Sequence, residues 1–106
     1  MEGRNSNHHK TDQSIVCTVF GSRSFYDTFD GKMKNYCDSG MYAELQTRFR
    51  DGTVLLVRTT SSTPERLPPK IEEGFRTISL AEVKWSKPLS ANGVFCYATG
   101  LKYLAV

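Results

Sequence analysis

Turn-forming pairs interrupt this chain about every ten residues, a spacing that suits short strands better than helices. They are "GSRS" at 21–24, Asp30-Gly31, "DSG" at 38–40, Asp51-Gly52, Asn92-Gly93 and Thr99-Gly100. Gly and Asn accept the positive φ that tight hairpin turns need. Between the turns lie runs rich in β-branched and aromatic residues, among them "SIVCTVF", "KMKNYC", "TVLLVRTT" and "GVFCY". The pattern predicts a mainly β fold, a small antiparallel sandwich or barrel of about six to eight short strands. One stretch departs from it. "SSTPERLPPK" at 61–70 holds three of the four prolines and reads as a loop. Beyond it Ile71, Phe75 and Ile78 share a helical face, and Pro69 suits a first turn. Glu72 and Glu73 suit the positive end of a helix dipole. A short helix over residues 69–76 followed by a strand is expected, although Gly74 weakens a helix interior.

The chain has 106 residues, enough for one domain with a single core. Residues 1–13 are polar and read as a disordered or adhering tail, and 14–106 as a single β-rich domain. No apolar run reaches the roughly 20 residues that a membrane helix needs, and the opening segment does not read as a secretory signal. Cys17, Cys37 and Cys96 are odd in number and widely spaced, which suits free thiols in an intracellular, cytoplasmic or nuclear, setting. The net charge of +3 sits in the last quarter of the chain. Residues 83–106 contain Lys84, Lys87 and Lys102 and no acid, while the rest is balanced.

The stretch "LQTRFRDGTVLLVRTT" reads as a hairpin about Asp51-Gly52. A register with Gly52 as a bulge puts Leu45, Phe49, Leu55 and Val57 on one face and pairs Glu44 with Arg58 on the other. A two-residue loop would instead set Phe49 opposite Val54. In the bulged register Val54 and Leu56 stay on the second face, and a slip only exchanges which pair is displaced. A second hairpin about Thr99-Gly100 would put Val94, Cys96, Ala98, Leu101, Tyr103 and Ala105 together, with Phe95, Tyr97, Leu104 and Val106 behind them. Antiparallel sheets in small domains normally leave one face wet, so this surplus must be covered by the short helix, by a second sheet of the same domain or by a partner. The expected role is a non-enzymatic protein-interaction or self-assembly module with a protein partner or a second copy. Its contact face would draw on Val54, Leu56, Trp85, Phe95, Tyr97 and Leu104, with Arg48, Arg50 and Arg58 at the rim.

Residues for catalysis are sparse. His8 and His9 lie in the polar segment without a carboxylate or cysteine cluster, and no phosphate loop or nucleophile elbow is present. No metal and no cofactor is expected. The alternative function is a small barrel that binds single-stranded nucleic acid, with Lys84, Lys87 and Lys102 on phosphates and Trp85, Tyr97 and Tyr103 stacking on bases. Residues "RFRDGTVLLV" and then "LPPKIEEGFRTI" resemble the strand, turn, strand and helix order of a polo-box interaction domain. This chain lacks room for that family's additional hairpin and continues into further strands, so the resemblance assigns no family.

Overall fold

The computed structural model describes residues 8–21, 27–60, 77–91 and 93–104, in six antiparallel strands. They are β1 His9–Val19, β2 Phe29–Tyr36, β3 Gly40–Leu45, β4 Val54–Thr59, β5 Ile78–Ala91 and β6 Val94–Tyr103. They close into a barrel in the order β1-β2-β3-β6-β5-β4. Closure comes from β4 pairing back on β1, where Val16 faces Arg58 and Val19 faces Leu55. Of the two expected architectures, the chain takes the barrel. The helix expected at 69–76 lies outside the described residues. So do Ala105 and Val106.

Alternation along the strands fills one interior. Ile15 and Cys17, Met33, Ala43 and Leu45, Leu55 and Val57, Ala81 and Val83, and Leu101 all point inward and are buried. β1 begins inside the segment read as a polar tail, with His9 facing Tyr36 and Lys10 facing Asn35, so residues 9–13 adhere along β2. The His9 and Tyr36 rings lie 5.0 Å apart.

Two turn signals act as expected. Asp38-Ser39 joins β2 to β3, with the Cys37 amide donating to the Gly40 carbonyl at 2.9 Å. Gly93, at φ 77°, lies between β5 and β6, where Ala91 faces Val94, and Asn92 lies outside the described residues.

Three signals act otherwise. Asp51-Gly52 makes a turn, with the Thr53 amide donating to the Arg50 carbonyl at 3.0 Å, but β3 and β4 do not pair. The connection crosses the barrel end because both edges of β3 are already taken, by β2 and by β6. Phe49 is buried on the way and meets Phe29 edge-on at 5.2 Å. Gly52, at φ 94°, donates to the Val83 carbonyl at 2.7 Å. Glu44 therefore faces Lys32 and Ala98, and Arg58 faces Val16 and Ile78.

Thr99-Gly100 is likewise no turn. β6 runs straight through it, so Tyr97, Thr99, Leu101 and Tyr103 share one side and Cys96, Ala98, Gly100 and Lys102 the other. Asp30-Gly31 sits within β2, where Gly31 allows β3 to approach at Glu44 and Leu45.

Gly40 is the tightest backbone approach, since a Cβ built there would overlap the Leu101 carbonyl oxygen. Gly40→Ala is expected to lower unfolding free energy by about 1–3 kcal/mol, read from the urea midpoint at unchanged slope.

Candidate functional site

Two β-bulges face each other across the barrel wall. The β2–β3 register shifts between Met33 and Asn35, and the β5–β6 register shifts between Val83 and Trp85. A bulge sets two residues against one and re-aims side chains. Here it brings Lys34 together with Asn35, and Lys84 together with Trp85, to the same level of the sheet. The register then runs straight across four strands: Asn35 faces Tyr42, Tyr42 faces Gly100, and Gly100 faces Trp85.

Trp85 reaches over the strand beside it. Its indole lies on Gly100, where a Cβ would overlap the ring nitrogen Nε1. The ring stacks near Tyr42 at 5.9 Å with 29° between planes, and Lys87 Nζ stands 5.8 Å from its centre. Trp85 remains 40% exposed, so a usable aromatic surface is left open. Beside it is a cleft of about 300 Å³, lined by His8, Asn35, Cys37, Ser39, Gly40, Met41, Tyr42, Lys84, Trp85, Gly100, Leu101 and Lys102.

The charges around the cleft are arranged unevenly. Asp12 takes Lys34 at 2.8 Å and Lys32 at 3.5 Å. The hydrogen bond from Lys34 holds the Asp12 carboxyl below its usual value, and the same bond raises Lys34. Lys84 lies 3.7 Å from Glu82, which also faces Lys102 across the strands. Burial, then Glu44 nearby, raises the Tyr42 hydroxyl. Burial also pushes the Cys37 thiol up, but hydrogen bonding by the Ser39 hydroxyl and by the Ser39 and Gly40 amides outweighs it, so Cys37 sits below the ordinary thiol value. Cys17, within the core, is pushed up to about 12 by burial and then by Asp30. A flat ring, cationic Nζ groups, a side-chain amide and turn amides suit a planar ligand that carries phosphate.

The residues singled out from sequence do not gather in one place. Trp85, Lys84, Lys87 and Lys102 line or border the cleft wall. Tyr97 and Tyr103 belong to the inner side of β6, half-buried and buried respectively, which divides the expected nucleic-acid platform. Phe95 is exposed and contacts Tyr97 edge-on at 5.2 Å, on the opposite side of the β5–β6 ribbon from Trp85. Val54 and Leu56 are half-buried on the outer wall of β4, where Leu56 faces Thr18 and Leu80, and Leu104 is half-buried after β6. Arg48 and Arg50 are exposed on either side of Phe49, and Arg58 is exposed on β4. Sequence reasoning missed Asn35, Tyr42, Cys37 and Gly100. The signal available was the run of small residues Cys96, Ala98 and Gly100 at alternate positions of β6, a floor over which a neighbouring indole can lie.

No family model and no curated protein sequence matches this chain. In structure it is similar to the PilZ domain, with c-di-GMP, of YcgR from Escherichia coli. The TM-score is 0.62 at 11% identity, over 97% of this chain and 79% of that one. The likeness is one of fold. Among the described residues no helix is long and apolar enough to cross a membrane, and Cys17, Cys37 and Cys96 are all free thiols.

Native-state alkylation across a pH series, read by peptide mass spectrometry, should show Cys37 reacting with a midpoint below that of a free cysteine, while Cys17 stays unmodified throughout. Gly100→Ala should lift the indole off β6, shift the emission of the chain's one tryptophan to the red, and cost about 1 kcal/mol of stability.

Proposed function

We propose that this chain is a non-enzymatic recognition module whose Trp85 cleft holds a planar, phosphate-bearing small molecule of the nucleotide class. The observation that carries this is the four-strand row from Asn35 to Trp85, in which two bulges turn an amide, two rings and two lysines onto one wall. The similarity in fold to a domain solved with c-di-GMP makes that cyclic dinucleotide the first ligand to test. A base would lie against the indole, with phosphates toward Lys84 and Lys102. The free thiols suit an intracellular setting.

Because the chain has one tryptophan, its emission reports on the cleft alone. Titration with c-di-GMP should quench it saturably, and Trp85→Ala, followed by calorimetry, should weaken binding about tenfold or more. A labelled single-stranded oligonucleotide in the same buffer tests the nucleic-acid alternative, which requires binding that weakens steeply as salt rises. Absence of any effect of c-di-GMP on emission and heat would refute the ligand named here.

A protein contact is the second reading, and it draws on the β5–β6 ribbon. β3 pairs with β6 only from Tyr97 to Lys102, so Val94 and Phe95 project past it, 61% and 57% exposed. Light scattering over a concentration series separates self-association, whose mass rises and falls back in Phe95→Ser, from contact with a different protein.

A further inference from the structure

We propose that the outer wall of β1, β4 and β5 is the contact face of a symmetric dimer, its occupant a second copy of this chain. The inference is independent of the nucleotide reading of the Trp85 cleft. Strand pairing sets the outward residues of this wall in level rows. The middle row runs Thr18, Leu56 and Leu80, and Leu104 extends it, its amide donating to the Leu80 carbonyl at 2.9 Å. Ile78 ends the row on one side of it. Phe20, whose amide donates to the Val54 carbonyl at 2.8 Å, begins the row on the other. Ile78 and Phe20 stand 57% and 60% exposed. Large apolar side chains grouped on one wall and left this open mark a contact surface.

The centre of this face carries no directional group, so the charges at its ends set the geometry. Arg58 stands on β4 beside Ile78, and Glu82 on β5 beside Val54, two levels away along the strands. Among the described residues Arg58 has no ion pair, and Lys84 meets Glu82 at 3.7 Å, beyond hydrogen-bond distance. An unpaired cation and a loosely held anion at opposite ends make the face complementary to itself. A symmetric contact sets residue i on j and j on i. Sheets stacked face to face also keep their strands nearly aligned. A two-fold axis lying across the strands, over Leu56 and Leu80, satisfies both conditions. It brings Arg58 of each copy to the level of the partner's Glu82, one strand over, while leucines meet at the centre. An axis along β4 would instead set the two Arg58 side chains together. The face measures roughly 14 Å each way, from three strand spacings and four residues of rise. That is a few hundred Å² against the roughly 800 Å² per partner of a standard interface, so the dimer is weak and reversible.

The test is sedimentation equilibrium of the full chain from about 10 μM to about 1 mM. The wild-type chain should dimerise toward the upper end of that range. Ile78→Ser, at an exposed position, should weaken the dimer about tenfold, whereas Phe95→Ser should leave it unchanged. Arg58→Glu alone sets acid against acid, and Glu82→Arg alone sets base against base, so each should also lose about tenfold. Mixed in equal amounts, these two variants should associate again, because both cross pairs become attractive, and high salt should reduce the gain. A chain that fails to fold cannot give that recovery, and tryptophan emission checks each variant before mixing. A monomeric wild type overturns the proposal and leaves the wall to a different partner. Association lost in Phe95→Ser but kept in Ile78→Ser, or a mixture no heavier than its components, overturns it as well.

Discussion

The pairing of β4 back onto β1 joins residues 15–19 to 55–59, and the remaining architecture follows from it. Without it the chain would be an open sheet with two edges and two comparable faces. Once it forms, each strand has a neighbour on both sides, and side chains divide strictly between an interior and an outer wall. Ile15, Cys17, Leu55 and Val57 become interior by that single pairing, since all four lie on the closing strands. The contact is far apart in sequence, so its loop-closure entropy is set against the burial it permits. Phe49 contributes at the barrel end, where the β3–β4 connection carries a large ring into the core.

Closure also explains why function must be sought on the wall. Among the described residues the interior is filled by a cluster of buried side chains. A regular wall would alternate inward and outward residues without interruption and present one outward residue per level on each strand. The bulges at Lys34 and Lys84 break that rule at the same level, and each adds a second outward group there. The groups so paired are Lys34 with the amide of Asn35 and Lys84 with the indole of Trp85. Gly100 between them has no side chain to hold the indole away, so the ring lies down on the backbone and stacks toward Tyr42. Local irregularity at these two places converts a plain barrel surface into a shaped one.

Strand content was legible in the sequence because alternation survives in nearly every run, as in Leu55 and Val57 inward with Val54 and Leu56 outward. The turns at Asp38-Ser39 and at Gly93 were legible as well, since these residues do what turn chemistry asks. Asp30-Gly31, Asp51-Gly52 and Thr99-Gly100 misled for one common reason. Glycine permits a turn, but it equally permits close approach, and the two uses look alike in a single chain. Gly31 admits β3, and Gly100 admits an indole, each within an extended strand. Reading Thr99-Gly100 as a turn inverted the faces of everything after it, which grouped Leu101 and Tyr103 with Cys96 and Ala98 instead of with Tyr97 and Thr99. The bulges themselves left no trace in the pattern, because one added residue in "KMKN" or "VKWS" resembles ordinary variation.

The surplus of apolar residues on second faces resolves in two different ways. Beneath Trp85 it disappears: β6 offers Cys96, Ala98 and Gly100 outward, and the larger residues turn in. On β4 it persists, with Leu56 beside Leu80 and both half-buried, and Ile78 57% exposed at the next outward position of β5. The two walls thus differ in kind. The β2–β3–β6 wall carries charges, amides and rings at its outward positions, whereas the β4 wall is apolar and undirected. Recognition by hydrogen bonds needs acceptors and donors held in place by a rigid sheet. Only the first wall supplies them, and it does so where paired strands on both sides hold β3 and β6 still.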